Sequence, residues 1–199
     1  TAGAQLTDYR RSLDFRAGTV RRSFIWHTRS GGRVRVETSR LVSFERRNLA
    51  LFSYSVTALD APLQVRLESL LVNRQDGSGE FAASNAERSF DPRKADELTG
   101  RVLQPLGQLE HDGTVGMAFT TSSSGMRIAT VARHEPAGQT TLSEDVTVTA
   151  LERQLAAGET VKLEKTVVWL DGQGDVLAEA SKLLHQAVAA GSDVLQAEQ

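Results

Sequence analysis

The chain of 199 residues contains no cysteine. That absence excludes disulfides, thiolate metal sites and cysteine nucleophiles together, and it agrees with a reducing compartment. Lysine is scarce, with four residues, so nearly all the positive charge is arginine. No apolar run approaches the ~20 residues needed to span a bilayer as a helix. The first residues, TAGAQ, have neither a basic nor a hydrophobic signal segment and no initiator Met. We therefore expect a cytoplasmic chain cut or processed from something longer. None of the three asparagines, Asn48, Asn73 and Asn85, opens a glycosylation sequon.

The charge present is unevenly placed. Formal net charge is −2, yet residues 1–50 hold eleven arginines against Asp8, Asp14, Glu37 and Glu45. The first quarter thus carries an excess of seven positive charges, and the remainder an excess of nine negative. So dense a basic segment can mark nucleic-acid binding. Arg33 and Arg35, however, fall on the outward positions of an alternating strand. The arginines at 10, 11, 16, 21, 22, 33, 35, 40, 46 and 47 read better as solvated strand faces paired with acids from elsewhere in the chain.

Period-two alternation dominates residues 12–72. Strands are expected at Ser12–Phe15, Val20–Thr28, Arg33–Phe44, Leu49–Leu59 and Leu63–Val72, with Ser30, Gly31 and Gly32 turning one long hairpin over 20–44. Val34 and Val36 should face a core. Residues 74–100 are rich in Asp, Glu, Ser, Gly and Arg and read as a long surface excursion with a helical turn near Arg93–Leu98. Val115–Thr121 and Met126–His134 form a second expected hairpin around Ser122–Gly125. Asp145–Leu155 and Thr160–Leu170 form a third around Ala156–Glu159. After Gly172 the period becomes helical. Asp175 caps a helix with Val176, Leu177, Ala180, Leu183, Leu184, Ala187 and Val188 on one face, and Gly191 stops it. Ser192 or Asp193 caps a further helix toward Gln199.

The candidate motifs are thin. His27, His111, His134 and His185 share no ligand spacing, and the neighbours in His111–Asp112 and His134–Glu135 diverge on extended backbone. They read as surface or structural histidines. Asp76–Glu80 lacks the spacing of a calcium loop. Gly172 and Gly174 resemble a dinucleotide turn, but Leu177 stands where the third glycine belongs. Ser122–Gly125 lacks the leading glycine of a nucleophile elbow. Trp26 and Trp169 could stack on sugar rings, yet on strands they read as core. No acid pair has a fixed separation for glycoside chemistry. No catalytic, cofactor-binding or metal-binding residue is assigned, and no cofactor is expected.

The order of motifs carries more. Residues 9–20 (YRRSLDFRAGTV) fit R-x-L-D-x-R-x-G-x-L, with Val20 for the last Leu. Residues 33–44 (RVRVETSRLVSF) form an arginine-rich strand. Residues 47–56 (RNLALFSYSV) fit R-H-L-A-x-x-x-Y-x-V, with Asn48 in the His position. Thr121–Gly125 fits T-x-x-S-G, Lys162–Trp169 reads as a last strand, and Gly191–Glu198 fits G-x-x-x-L-x-x-E. In this order they resemble the N-terminal domain of glycoside hydrolase family 65, which includes maltose, trehalose and kojibiose phosphorylases and related hydrolases. The likeness spans most of 9–198.

The resemblance implies a mainly β fold, a large antiparallel β-sandwich of the galactose-mutarotase-like kind with a C-terminal linker helix. Residues 1–172 would be the sandwich, lacking the family's first strands. Residues 173–199 would be a helical linker toward an (α/α)6 catalytic barrel beyond this chain, where the catalytic glutamate and phosphate loop would lie. The implied function is a non-catalytic domain supporting the barrel and substrate entrance of an inverting α-glucoside phosphorylase or hydrolase. Implied partners are that barrel, an α-linked glucose disaccharide and phosphate through the parent enzyme, and a second copy in a homodimer, with no nucleic acid and no membrane. The residues alone leave two other readings open: a self-contained carbohydrate-binding or adaptor sandwich, and a basic single-strand nucleic-acid binder.

Overall fold

In a computed structural model, residues 5–29, 31–73 and 101–198 are described. The expected excursion over 74–100, with its calcium-like stretch and helical turn, lies outside them.

Eleven strands and two helices follow one another among the described residues. The strands are β1 (Gln5–Asp14), β2 (Thr19–His27), β3 (Arg33–Val42), β4 (Leu49–Ala58), β5 (Leu63–Val72), β6 (Leu103–His111), β7 (Thr114–Thr121), β8 (Arg127–Glu135), β9 (Gln139–Ser143), β10 (Val146–Leu155) and β11 (Thr160–Gly172). The helices are α1 (Val176–Ala190) and α2 (Ser192–Ala197). All strand pairing is antiparallel. The large sheet runs β1-β2-β3-β4-β11-β8-β7-β6 and the small one β5-β10-β9.

Alternation builds two cores on opposite faces of the large sheet. One face presents Val34, Val36, Val56, Val161 and Leu163 to Val65, Leu67, Leu151 and Leu155 of the small sheet. Val34 and Val36 are buried while Arg33 and Arg35 are exposed, as the period-two pattern requires. The other face presents Leu41, Leu49, Leu51, Val131 and Val168 to Val176, Ala180, Leu184, Ala187 and Leu195 of the two helices. Fully burying each of these aliphatic side chains contributes ~1.5–3 kcal/mol before ordering entropy is subtracted. Gly116 on β7 lets α1 approach. A Cβ there would sit 2.7 Å from Val131 Cγ1 and 3.1 Å from Leu177 Cδ1.

The helix is capped as expected at its start, where Ala178 N–H donates to Asp175 Oδ1 at 3.1 Å. At its end Gly191, with φ 85°, donates its N–H to Ala187 O and Val188 O. Two details differ from the sequence reading. Leu183, counted on the apolar face, is 39% exposed, because the sheet meets the arc through Val176, Ala180, Leu184 and Ala187. The second helix takes Gly191 as its N-cap, with no side-chain cap bond from Ser192 or Asp193.

The expected hairpin of 145–155 with 160–170 does not form. β10 pairs with β5 and β9, while β11 enters the large sheet between β4 and β8. The turn between them is held by the end of β4: Gly158 N–H donates to Ala58 O at 2.7 Å and Ala58 N–H to Glu159 O at 3.0 Å. The chain therefore turns a corner from one sheet to the other. β6, β9 and the first half of β1 go beyond the strands that the pattern predicts. Their residues alternate weakly, and β1 is exposed almost throughout.

Candidate functional site

Beside the small sheet, the face of the large sheet that carries Val34 and Val36 stays partly open. β5 forms a wall, and the floor between it and the strands below is a cleft of about 720 Å3. Phe52 and Tyr54 of β4, Lys165 and Trp169 of β11, Thr130 of β8 and Phe119 of β7 line that floor. Strand register explains the grouping, because Phe52 stands opposite Lys165 and Trp169 opposite Thr130. Trp169 is fixed by reciprocal bonds to Asn48. Its N–H donates to Asn48 O at 2.9 Å, and Asn48 Nδ2 donates to Trp169 O at 2.6 Å.

The tryptophans are not core residues. Trp26 is 38% and Trp169 39% exposed, because each lies on the partly open face beyond the cover of the small sheet. The strand pattern locates their face correctly, but not how far the second sheet extends over it.

Two basic groups lie beneath the wall. Lys165 Nζ donates to Leu70 O of β5 at 3.2 Å. Burial pulls its pKa down to about 8. His134, buried behind it, exchanges one hydrogen bond with Ser69 through Nε2 at 2.8 Å. Burial first, and the Lys165 charge second, lower its pKa to about 4. Its Nδ1 has no partner among the described residues. His134 is thus a neutral structural histidine at pH 7. Glu135 points to the opposite face, so the adjacent pair diverges as expected.

The cleft presents one described carboxylate, Glu68, which accepts from Arg66 Nε at 2.8 Å. Arg66 also pairs with Glu152. Glycoside cleavage needs two carboxyl groups across the scissile bond. The aromatic floor suits apolar or stacking contact.

The remaining candidates are structural. Ser122 Oγ donates to the carbonyls of Arg101 and Val102 at 2.6 and 3.0 Å, so it closes a turn. Gly172 and Gly174 lead from β11 into α1, and Arg127 Nη1 donates to Gly174 O at 2.7 Å. His27 bonds to Thr7 Oγ1 at 3.0 Å, while His111 and His185 are exposed. No group of three metal-ligating side chains occurs among the described residues. No helix among them is long and apolar enough to cross a membrane.

The arginine run follows the expectation at two positions. Arg33 forms a bidentate pair with Asp60 at 2.8 and 2.7 Å, and Arg46 with Glu198 at 2.9 and 2.8 Å. Each carboxylate is thereby held below the usual range by its arginine. Arg22 lies over the Phe24 ring, 5.4 Å from its centre, and Phe24 stacks on Tyr9. Arg10, Arg11, Arg16, Arg21, Arg35, Arg40 and Arg47 make no ion pair with an acid among the described residues. Among the described residues, the expected pairing with acids from elsewhere in the chain is thus seen at Arg33 and Arg46.

The family description "Glycosyl hydrolase family 65, N-terminal domain" matches residues 1–199. An uncharacterized glycosyl hydrolase of Mycobacterium tuberculosis is 33% identical over 134 residues, covering 66% of this chain and 16% of the relative. Kojibiose phosphorylase of Escherichia coli is 27% identical over 171 residues, covering 84% of this chain and 20% of its own length. A solved structure from the human microbiome, provisionally assigned as a kojibiose phosphorylase, superposes with a TM-score of 0.80 at 17% identity. It covers 98% of this chain and 24% of the other. The chain thus spans a quarter or less of the relatives it matches.

Proposed function

Because the chain belongs to glycosyl hydrolase family 65, matching its N-terminal domain along its whole length, we propose that it is the non-catalytic sandwich of a larger phosphorylase or hydrolase acting on α-linked glucose disaccharides. Residues 1–172 form the sandwich in this reading, and 173–199 lead to a catalytic (α/α)6 barrel. There a glutamate would protonate the glycosidic oxygen, and phosphate or water would attack the anomeric carbon with inversion. The sandwich braces that barrel and walls its entrance.

One observation carries the reading beyond family likeness: several of the described carboxylates are engaged in holding the domain together. Asp60, Glu68, Asp145 and Glu198 are each ion-paired with an arginine. Asp14 and Asp175 cap backbone amides. Asp14, Asp60 and Glu198 are poor general acids, because these bonds favour their charged forms. A phosphorylase among the relatives favours phosphate as the attacking group.

The full-length protein should release glucose from maltose, trehalose or kojibiose, and phosphate should accelerate it. Residues 1–199 alone should release none. Turnover by 1–199 that disappears on mutating one of its own acids would overturn the reading.

The half-exposed Trp169, with Phe52 and Tyr54, favours a second reading: a self-contained sugar-binding sandwich. The reading frame beyond residue 199 separates the two. A long helical region supports the enzyme, and an early stop supports the binder.

A further inference from the structure

The end of the large sheet where β1 turns into β2 and β3 closes has an apolar centre and a basic rim. Phe15, in the β1–β2 turn, is 86% exposed, and Val42 and Leu13 nearby are 61% and 51% exposed. Asp14 Oδ1 accepts from the amides of Arg16 and Ala17, both at 3.0 Å. The turn is therefore fixed, and it holds the Phe15 ring out into solvent. The Phe44 ring lies 3.9 Å from where a Cβ on Gly18 would stand, so the β1–β2 turn and the chain after β3 form one surface. A rigid, outward aromatic on a turn is costly to leave in water and marks a contact surface.

Arg11, Arg16 and Arg40 belong to this same end and make no ion pair among the described residues. Asp14 feels Arg21 and Arg16, but its oxygen is already engaged by the turn amides. Arginine around an apolar centre suits a protein contact whose other side is acidic.

The path of the chain indicates which protein. Leu195 of α2 is buried with Leu41, Leu49 and Leu51, and Arg46, in the turn just after β3, holds Glu198 by two bonds. Residue 198 is thus pinned at the end of the sheet that displays Phe15, on the helix face behind Leu13, Arg40 and Val42. The relatives are at least four times as long as this chain. A segment continuing from that point reaches the patch by passing round this end of the sheet, and the tether makes its docking intramolecular and raises its effective concentration.

We propose that this end of the sheet, with Phe15, Leu13 and Val42 at its centre and Arg11, Arg16 and Arg40 around it, seats an acidic surface of the same polypeptide beyond residue 199. The proposal rests on the reading of the chain as the N-terminal part of a longer enzyme, and it names the surface through which the parts meet.

The experiment places the photoreactive amino acid benzoylphenylalanine at position 15 of the full-length protein. Irradiation should give an intramolecular cross-link at monomer mass, to a peptide beyond residue 199 with more Asp and Glu than Lys and Arg. The yield should fall roughly fivefold or more when Arg16→Glu and Arg40→Glu are added, as charge reversal opposes the contact. Were position 15 to disturb folding, judged by the melting curve, position 42 takes the probe. A cross-link to a second copy, to co-purifying nucleic acid, or to residues within 5–198 overturns the proposal, and so does the absence of any cross-link. Glucose release by the same protein is read separately. Activity without the cross-link sinks the docking surface alone, and the cross-link without activity sinks the proposed reaction alone.

Discussion

Lys165 of β11 and His134 of β8 stand directly opposite one another across their strand pair, on the face of the large sheet that meets the small one. Two bases that repel when both are charged are kept together because one of them is neutral. Burial decides which: His134 titrates near 4 and Lys165 near 8.

Acid stability should report this pair. The pKa of His134 is about 6.5 in the unfolded chain and about 4 in the folded one, so the unfolded state binds more protons between those values. Stability is full above pH 6.5 and is lost as pH falls toward 4. The loss should be about 3 kcal/mol, the free energy of a shift of this size. Denaturant melts of wild type and His134→Asn at pH 7 and pH 4.5 measure it. An acid loss of the same size in the variant would show that other groups cause it.

The charge on Lys165 should be visible at its neighbour. In Lys165→Met the His134 pKa should rise, because one of its two depressing causes is gone, but it should remain below 6.5 because burial persists. Imidazole proton shifts followed by NMR across pH 3–7 provide the readout. An unchanged midpoint would mean that the two groups are not coupled.

Register can be tested on β3. Val36→Asp puts an unpaired charge between the sheets and should cost ~3 kcal/mol or more. Arg35→Asp alters an exposed position one residue away and should cost under ~1 kcal/mol. Similar shifts of the melting temperature for the two would contradict the inward facing of Val36.

The helix seat offers a matching contrast. Leu184 is fully buried against the sheet and Leu183 is not. Leu184→Ala should cost ~2–5 kcal/mol, as aliphatic truncation in cores does, and Leu183→Ala should cost much less. Gly116→Val should cost ~1–3 kcal/mol by overpacking, because its side chain would meet Val131 and Leu177. Chemical denaturation of the three variants gives the ordering. Equal losses at 183 and 184 would mean that α1 is rotated.

Most of the local structure is legible in the sequence. Residues 20–72 alternate strongly, because those strands have one greasy face, and the bounds predicted for β5, Leu63–Val72, coincide with those observed. The helix and both of its stops follow from Asp175, Gly191 and 3.6-residue spacing. What escapes is determined by contacts distant in sequence. The apparent hairpin across Gly158 is a corner because Ala58, a hundred residues earlier, holds the turn. β9 has five residues and β1 is mostly exposed, so neither shows the pattern of a half-buried strand. At the candidate site, Lys165 lies in register with Leu163 and Val167, an inward-facing base on an apolar face. That is a signal the sequence carries, although no motif marks it. The exposure of Trp169 is not legible, because it depends on where the small sheet ends.

The insertion of β11 between β4 and β8 has a consequence for how the molecule comes to exist. During synthesis β1–β4 emerge as one hairpin series and β6–β8 as another. Neither group can join the other until residues 160–172 have left the ribosome, because that strand supplies hydrogen bonds to both. Until then β4 and β8 are open edges, the kind of surface that pairs with another nascent chain. Pairings of β11 with β4 span about a hundred residues, so the closing step is of high contact order and slow. The same strand that completes the sheet therefore sets the interval during which the chain is most exposed to aggregation.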